Sequence, residues 1–241
     1  MMPEKENIIL ESSTVKTHNI FIAGGTGYIG KALIPELVNN NHSVSCLVRE
    51  KSINKLPSGC KPAIGNALDK NSYEKNIFPA DTFIHLVGVS HPGPTKTEQF
   101  RKIDFVSLQQ SMEAAVNSGI KHFIYLSIAH PAPVMQEYIE VREECEVILI
   151  RSGLKVTILR PWYVLGPGYY WPYLLIPFYK ILDKIPSTSE AAKRLGLVTL
   201  NQMIQALLSS VENPSNGIKI IEVPDILKNY SQRNKELIHL T

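Results

Sequence analysis

This sequence predicts an α/β fold, a doubly wound parallel sheet with a small C-terminal subdomain on its substrate side. Three observations predict it. Short apolar runs alternate with amphipathic stretches through most of the chain, the pattern of βα units joined by right-handed crossovers. Residues 82–87 read as a strand buried on both faces, as in the middle of a parallel sheet. A short apolar run at Ile20 to Ala23 ends in a glycine-dense turn and passes straight into an amphipathic stretch with Ile29, Leu33, Ile34 and Leu37 on one face. Strand, tight turn and helix in that order make the sheet Rossmann-type.

The elements follow in order. After the first helix, residues 43–48 read as a second strand ending at Arg49, and residues 61–64 as a short third. A helix is expected over 71–76, then the fourth strand, then one long helix over 98–117 stopped by Ser118-Gly119. The fifth strand covers 122–127, a helix 135–151, and the sixth strand 156–159. Beyond Pro161 the alternation gives way to proline- and aromatic-rich sequence, before a helix at 201–211 and a strand at 218–223. Pro35 falls inside the first helix and is expected to kink it. Residues 1–17 read as a flexible leader, 18–160 as the Rossmann core, and 161–241 as the segment that completes the fold and its substrate side.

Composition narrows the function classes. With 241 residues, 44% hydrophobic and 20% charged, the chain has the make-up of an ordinary soluble α/β protein. Its net charge of +3 comes without a dense lysine or arginine run, so a nucleic-acid partner is not implied. The three cysteines form no CxxC pair and the seven histidines are scattered. Neither a disulfide framework nor a metal site is readable, and a reducing cytoplasm is the expected setting. The longest greasy stretch, 169–182, is broken by Pro172, Pro177 and Lys180 and is too short to span a bilayer.

The chemistry begins at Gly24-Gly25-Thr26-Gly27-Tyr28-Ile29-Gly30. An early glycine permits the tight turn, and a middle one lets the backbone approach a pyrophosphate. Gly30 lets the helix pack closely on the strand. The free amides and the positive end of the helix dipole then face the phosphates.

Those residues, together with Leu47-Val48-Arg49, Gly65-Asn66-Ala67-Leu68-Asp69, His85-Leu86-Val87-Gly88 and Tyr125-Leu126-Ser127, carry a resemblance. So do Tyr138-x-x-x-Arg142-x-x-x-Glu146 and Leu159-Arg160-Pro161 through Gly168. The chain resembles short-chain dehydrogenase/reductases of the atypical and extended branch, with its NmrA-like and complex I accessory-subunit-like members. The resemblance implies a nicotinamide dinucleotide held by Gly24, Gly25, Thr26, Gly27, Tyr28, Ile29 and Gly30, with Asn66, Ala67, Leu86, Val87, Gly88 and Pro161 completing its site. NAD-binding members carry an acid at the end of the second strand. Here Arg49 stands there, with Glu50 next, and a guanidinium suits a 2′-phosphate that an acid would repel. NADP(H) is therefore favoured over NAD(H), the other reading being a solvated Arg49 with Glu50 on the ribose. His85 is expected in the core.

Active members use a tyrosine for proton transfer, a lysine four residues later, and a serine that fixes the substrate. The corresponding residues here are Tyr138, Arg142 and Ser127, so the lysine is replaced. Arginine keeps the charge but not the compact geometry of an ammonium. Two functions follow from the resemblance: an NADP(H)-dependent oxidoreductase on a small substrate of unknown identity, and a non-catalytic NADP(H)-holding sensor or assembly protein. Both tryptophans and five of the ten tyrosines lie within 162–179. Trp162, Tyr163, Tyr169, Tyr170 and Trp171 read as an aromatic core, as a substrate lid, or as a peripheral membrane or protein contact supported by Lys180 and Lys184.

Overall fold

The computed structural model describes residues 16–90, 92–167 and 194–239. Among them, seven parallel strands form one sheet in the order β3-β2-β1-β4-β5-β6-β9. These are β1 (Asn19–Ala23), β2 (Ser43–Val48), β3 (Lys61–Ile64), β4 (Thr82–His85), β5 (His122–Leu126), β6 (Lys155–Arg160) and β9 (Ile218–Glu222). A separate parallel pair joins β7 (Tyr163–Leu165) to β8 (Leu197–Thr199). The order reverses between β1 and β4, where a crevice opens beyond the strands' carboxyl ends, the usual ligand position in such sheets.

Alternation along each strand sends its residues to two cores. Phe21, Phe83 and Phe123 are in register across β1, β4 and β5, with ring centroids 5.3 and 5.1 Å apart. They face α2 (Val106–Asn117) and α3 (Gln136–Arg151). Their neighbours Ile20, Ile22, Ile84 and Ile124 turn the other way, onto α1 (Tyr28–Asn39) and α4 (Leu200–Glu212). Burial on both faces explains why the strands read as apolar runs. His85 is buried in the first core and its Nδ1 lies 3.0 Å from Ser111 Oγ.

Several elements differ from expectation. Residues 71–76 form two 3-10 turns, Lys70–Ser72 and Glu74–Asn76, because Asp69 and Tyr73 restart the chain within six residues. The expected 98–117 helix has three parts: a turn Thr97–Gln99, a π turn Phe100–Phe105, and α2. β4 stops at His85, and residues 86–88 are released as crevice wall. The last strand ends at Glu222, and α5 (Val223–His239) begins there, its first turn holding Pro224 and Asp225, both favourable at a helix start.

A candidate dinucleotide-binding site

The β1–α1 turn is shaped by two contacts that exclude side chains. Gly24 has φ +98°, and a β-carbon there would stand 2.7 Å from the Leu86 carbonyl carbon. A β-carbon on Gly30 would lie 2.6 Å from Gly24 O. Gly25 instead packs inward on Cys46 and Ile34. Gly27 is the N-cap of α1, with extended backbone, no side-chain cap and no acid in the first turn. The amides at this end therefore face outward without an internal anion, as a phosphate site requires.

Beyond the turn lies a cavity of about 450 Å³, within the usual size for a small-molecule site. Gly24, Thr26 and Gly27 line one end. Leu47, Val48, Arg49, Ser52, Gly65, Asn66, Ala67 and Leu68 line the β2–β3 side, and Leu86, Val87, Gly88, Ser90 and Ile103 the far wall. Most of the residues expected to hold a cofactor are thus together on one surface. Gly25, Gly30, Tyr28 and Ile29 build the turn and the first turn of α1 behind it. Pro161 lies off the wall, buried, with its carbonyl accepting from Ala129 N at 2.9 Å. Arg49 is exposed at the rim and pairs with no carboxylate among the described residues. Glu50 is exposed and outside the wall. Ser52, Ser90 and Ile103 were missed in the sequence, although Ser52 stands three residues beyond Arg49 and Ser90 two beyond Gly88.

Tyr138 and Arg142 lie one turn apart on α3 and do meet. Arg142 Nη2 donates to Tyr138 Oη at 2.8 Å and to Asp104 Oδ1 at 2.5 Å. Its Nη1 donates to Tyr125 Oη at 3.0 Å and to Leu126 O at 2.9 Å. Neither Tyr138 nor Arg142 is on the cavity wall; the link is Gly88, whose β-carbon position would run into the guanidinium. Burial raises the Tyr138 pKa above the ordinary tyrosine value, Arg142 pulls it back, and Asp104 adds to the rise. Burial opposes charge on Arg142, but Tyr125, Tyr138 and Asp104 around it hold its pKa well above the usual value.

Ser127 sits just past β5, but its hydroxyl donates to Glu146 Oε1 at 2.5 Å rather than to Tyr138 or Arg142. Glu146 is also bound by Arg160 and His130. Against burial, these bonds from His130, Arg160 and Ser127 keep its carboxyl below the usual range. Trp162 and Tyr163 pack edge-on, half-buried, with centroids 5.3 Å apart. Tyr169, Tyr170 and Trp171 lie outside the described residues. Among the described residues no helix is long and apolar enough to cross a membrane.

A profile of NAD(P)H-binding proteins matches residues 24–166, more than half of the chain. The chain belongs to this NAD(P)H-binding family. The match covers the glycine turn, the cavity wall and the Tyr138–Arg142 helix together. It is 27% identical over 164 residues to the chloroplastic divinyl chlorophyllide a 8-vinyl-reductase of Cucumis sativus, covering 61% of this chain and 39% of that one. It is 22% identical over 236 residues to the UDP-glucose 4-epimerase of Vibrio cholerae, covering 86% and 70%. The chain thus spans well under half of the reductase's length and about two thirds of the epimerase's. Among solved structures, the Bordetella bronchiseptica enzyme WbmH in complex with NAD+ superposes with a TM-score of 0.66 over 86% of this chain and 76% of that chain, at 20% identity, a likeness of fold.

Proposed function

We propose that this protein is an NADP(H)-dependent oxidoreductase acting on a small carbonyl- or alcohol-bearing substrate. The observation that carries the reading is the Tyr138 hydroxyl held 2.8 Å from the Arg142 guanidinium, itself against Gly88 of the cavity wall. Bound NADP(H) would supply the hydride chemistry. The α1 amides would take its pyrophosphate, Asn66 and Ala67 its adenine, and Leu86, Val87 and Gly88 its ribose and nicotinamide. Arg49 at the rim, with Glu50 outside the wall, supports NADP(H) over NAD(H). Tyr138 would give its proton to the substrate oxygen in reduction and accept it in oxidation. The free thiols Cys46, Cys60 and Cys145 suit a reducing compartment, and we place the protein in the cytoplasm. A panel of aldehydes, ketones, alcohols and nucleotide sugars, followed by NADPH absorbance, tests the activity. Turnover on one class, lost in Tyr138→Phe, is the expected result.

One observation favours a second reading, a protein that holds NADP(H) without chemistry. Arg142 and Asp104 are 5% and 1% exposed and bound to each other, and Tyr138 is off the cavity wall. A Tyr138→Phe protein identical to wild type in every cofactor and substrate assay is what this reading expects.

A further inference from the structure

Asp104 is a carboxylate with no side-chain exposure, and no sequence motif pointed to it. It is the fifth residue of the π turn Phe100–Phe105, a kind of turn frequent at functional positions. The turn carries Asp104 under the ends of β4 and β5, where both its oxygens accept hydrogen bonds. Oδ2 takes Val89 N at 3.0 Å, and Oδ1 takes Arg142 Nη2 at 2.5 Å. A β-carbon on Gly88 would come within 2.9 Å of Oδ1. Asp104 thus touches both the strand end that forms the cavity wall and the cation that holds Tyr138.

Stability gives no reason for a charge here, since an apolar pair of the same volume usually holds a fold as well as a buried ion pair or better. The position does give one. An isolated cation beside Tyr138 would favour its ionised form, whereas the carboxylate paired with that cation offsets part of its pull. The other titratable groups facing Tyr138 do not replace it: Cys145, on the same helix, is a buried thiol pushed up to about 11, and Tyr125, on β5, bonds the same guanidinium.

We propose that Asp104 is the positioning residue of this site: its carboxylate fixes Arg142 between the cavity wall and the Tyr138 hydroxyl and offsets part of the cation's charge there. Arg142 then serves Tyr138 as a hydrogen-bond donor, and the tyrosine stays protonated through neutral pH. The proposal rests on Tyr138 being the proton-transfer group, but its test does not need a substrate.

The test is the alkaline absorbance titration of Tyr138, read as the difference between each protein and the same protein carrying Tyr138→Phe. Asp104→Asn keeps the size of the side chain and removes its charge. Tyr138 is expected to titrate about one to two pH units lower in that variant, a roughly 10- to 100-fold rise in its ionisation constant. The double variant Asp104→Asn/Arg142→Gln leaves no unpaired buried charge and decides the matter where the single variant does not fold. Its Tyr138 is expected to titrate no more than about one unit above wild type. An unchanged titration in Asp104→Asn, or a double variant titrating more than about one unit above wild type, overturns the proposal. Inertness across the substrate panel with the titration shifted counts against the oxidoreductase reading alone. Turnover with an unshifted titration removes Asp104 and leaves that reading standing.

Discussion

Gly24 and Leu86 touch across the switch point of the sheet, with a β-carbon at Gly24 placed 2.7 Å from the Leu86 carbonyl carbon. Gly27, three residues on, would meet nothing nearer than Gly24 O at 3.1 Å and has an ordinary negative φ of −77°. The two glycines therefore fail in different ways. Gly24→Ala is strained at φ +98° and clashes with backbone, so it is expected to cost about 1–3 kcal/mol in urea unfolding. Gly27→Val is expected to fold, with its side chain occupying the pyrophosphate space, and to weaken cofactor binding at least about 100-fold. Circular dichroism with cofactor titration separates the cases; near wild-type affinity in Gly27→Val would show that the turn is not the site.

Arg49→Ala addresses cofactor choice. A charge-assisted contact to a 2′-phosphate contributes about 1.5–3 kcal/mol, so wild type is expected to prefer NADPH over NADH by roughly 10- to 100-fold and the variant to lose that preference. Calorimetry with both cofactors measures it. Equal wild-type affinities, or an unaltered ratio in the variant, reject the assignment.

Tyr138→Phe is expected to lower turnover by about 10²–10⁴ with cofactor affinity unchanged. Arg142→Lys, which places the residue that the sequence resemblance implies, cannot supply a planar fork to Asp104, Tyr125, Leu126 O and Tyr138 at once. It is expected to lose about 1–2 kcal/mol of stability. Arg142→Ala, leaving Asp104 buried and unpaired, is expected to lose about 3–5 kcal/mol. Urea midpoints ranked in any other order contradict the ion-pair geometry.

Buried histidines make the fold acid-sensitive. Burial lowers His85 to about 3 and His122 to about 4, and also lowers His42. Because the folded values lie below the unfolded value near 6.5, the unfolded chain binds more protons between them. Their stabilisation is full above about pH 6.5 and falls as pH drops through that window. For His122 the loss between pH 7 and pH 5 is about 2 kcal/mol. His122→Gln is expected to flatten the slope of stability against pH in that range. A slope equal to wild type would mean that His122 is protonated in the folded protein.

What the sequence disclosed divides along a physical line. The glycine turn, Arg49, Asn66, Ala67 and the 86–88 wall lie within short motifs whose spacing is set by one strand and one turn. The Arg142–Asp104 pair joins residues 38 apart, and nothing local to Asp104 marks it. The π turn that presents it differs from an α-helix by a single residue per turn, below the resolution of a hydrophobic pattern. α5 did carry signals, Pro224 and Asp225, but the preceding strand pattern masked where it began.

The arrangement around Gly88 bears on how this protein could change over time. A side chain at 88 would collide with both Arg142 and Asp104, so no substitution there is a private matter of the cavity wall. Positions 88, 104 and 142 should behave in a randomised library as one locus, its survivors carrying compatible triplets while most single changes are purged. Altering the Tyr138–Arg142 pair without disturbing the glycine turn would here require coordinated replacements.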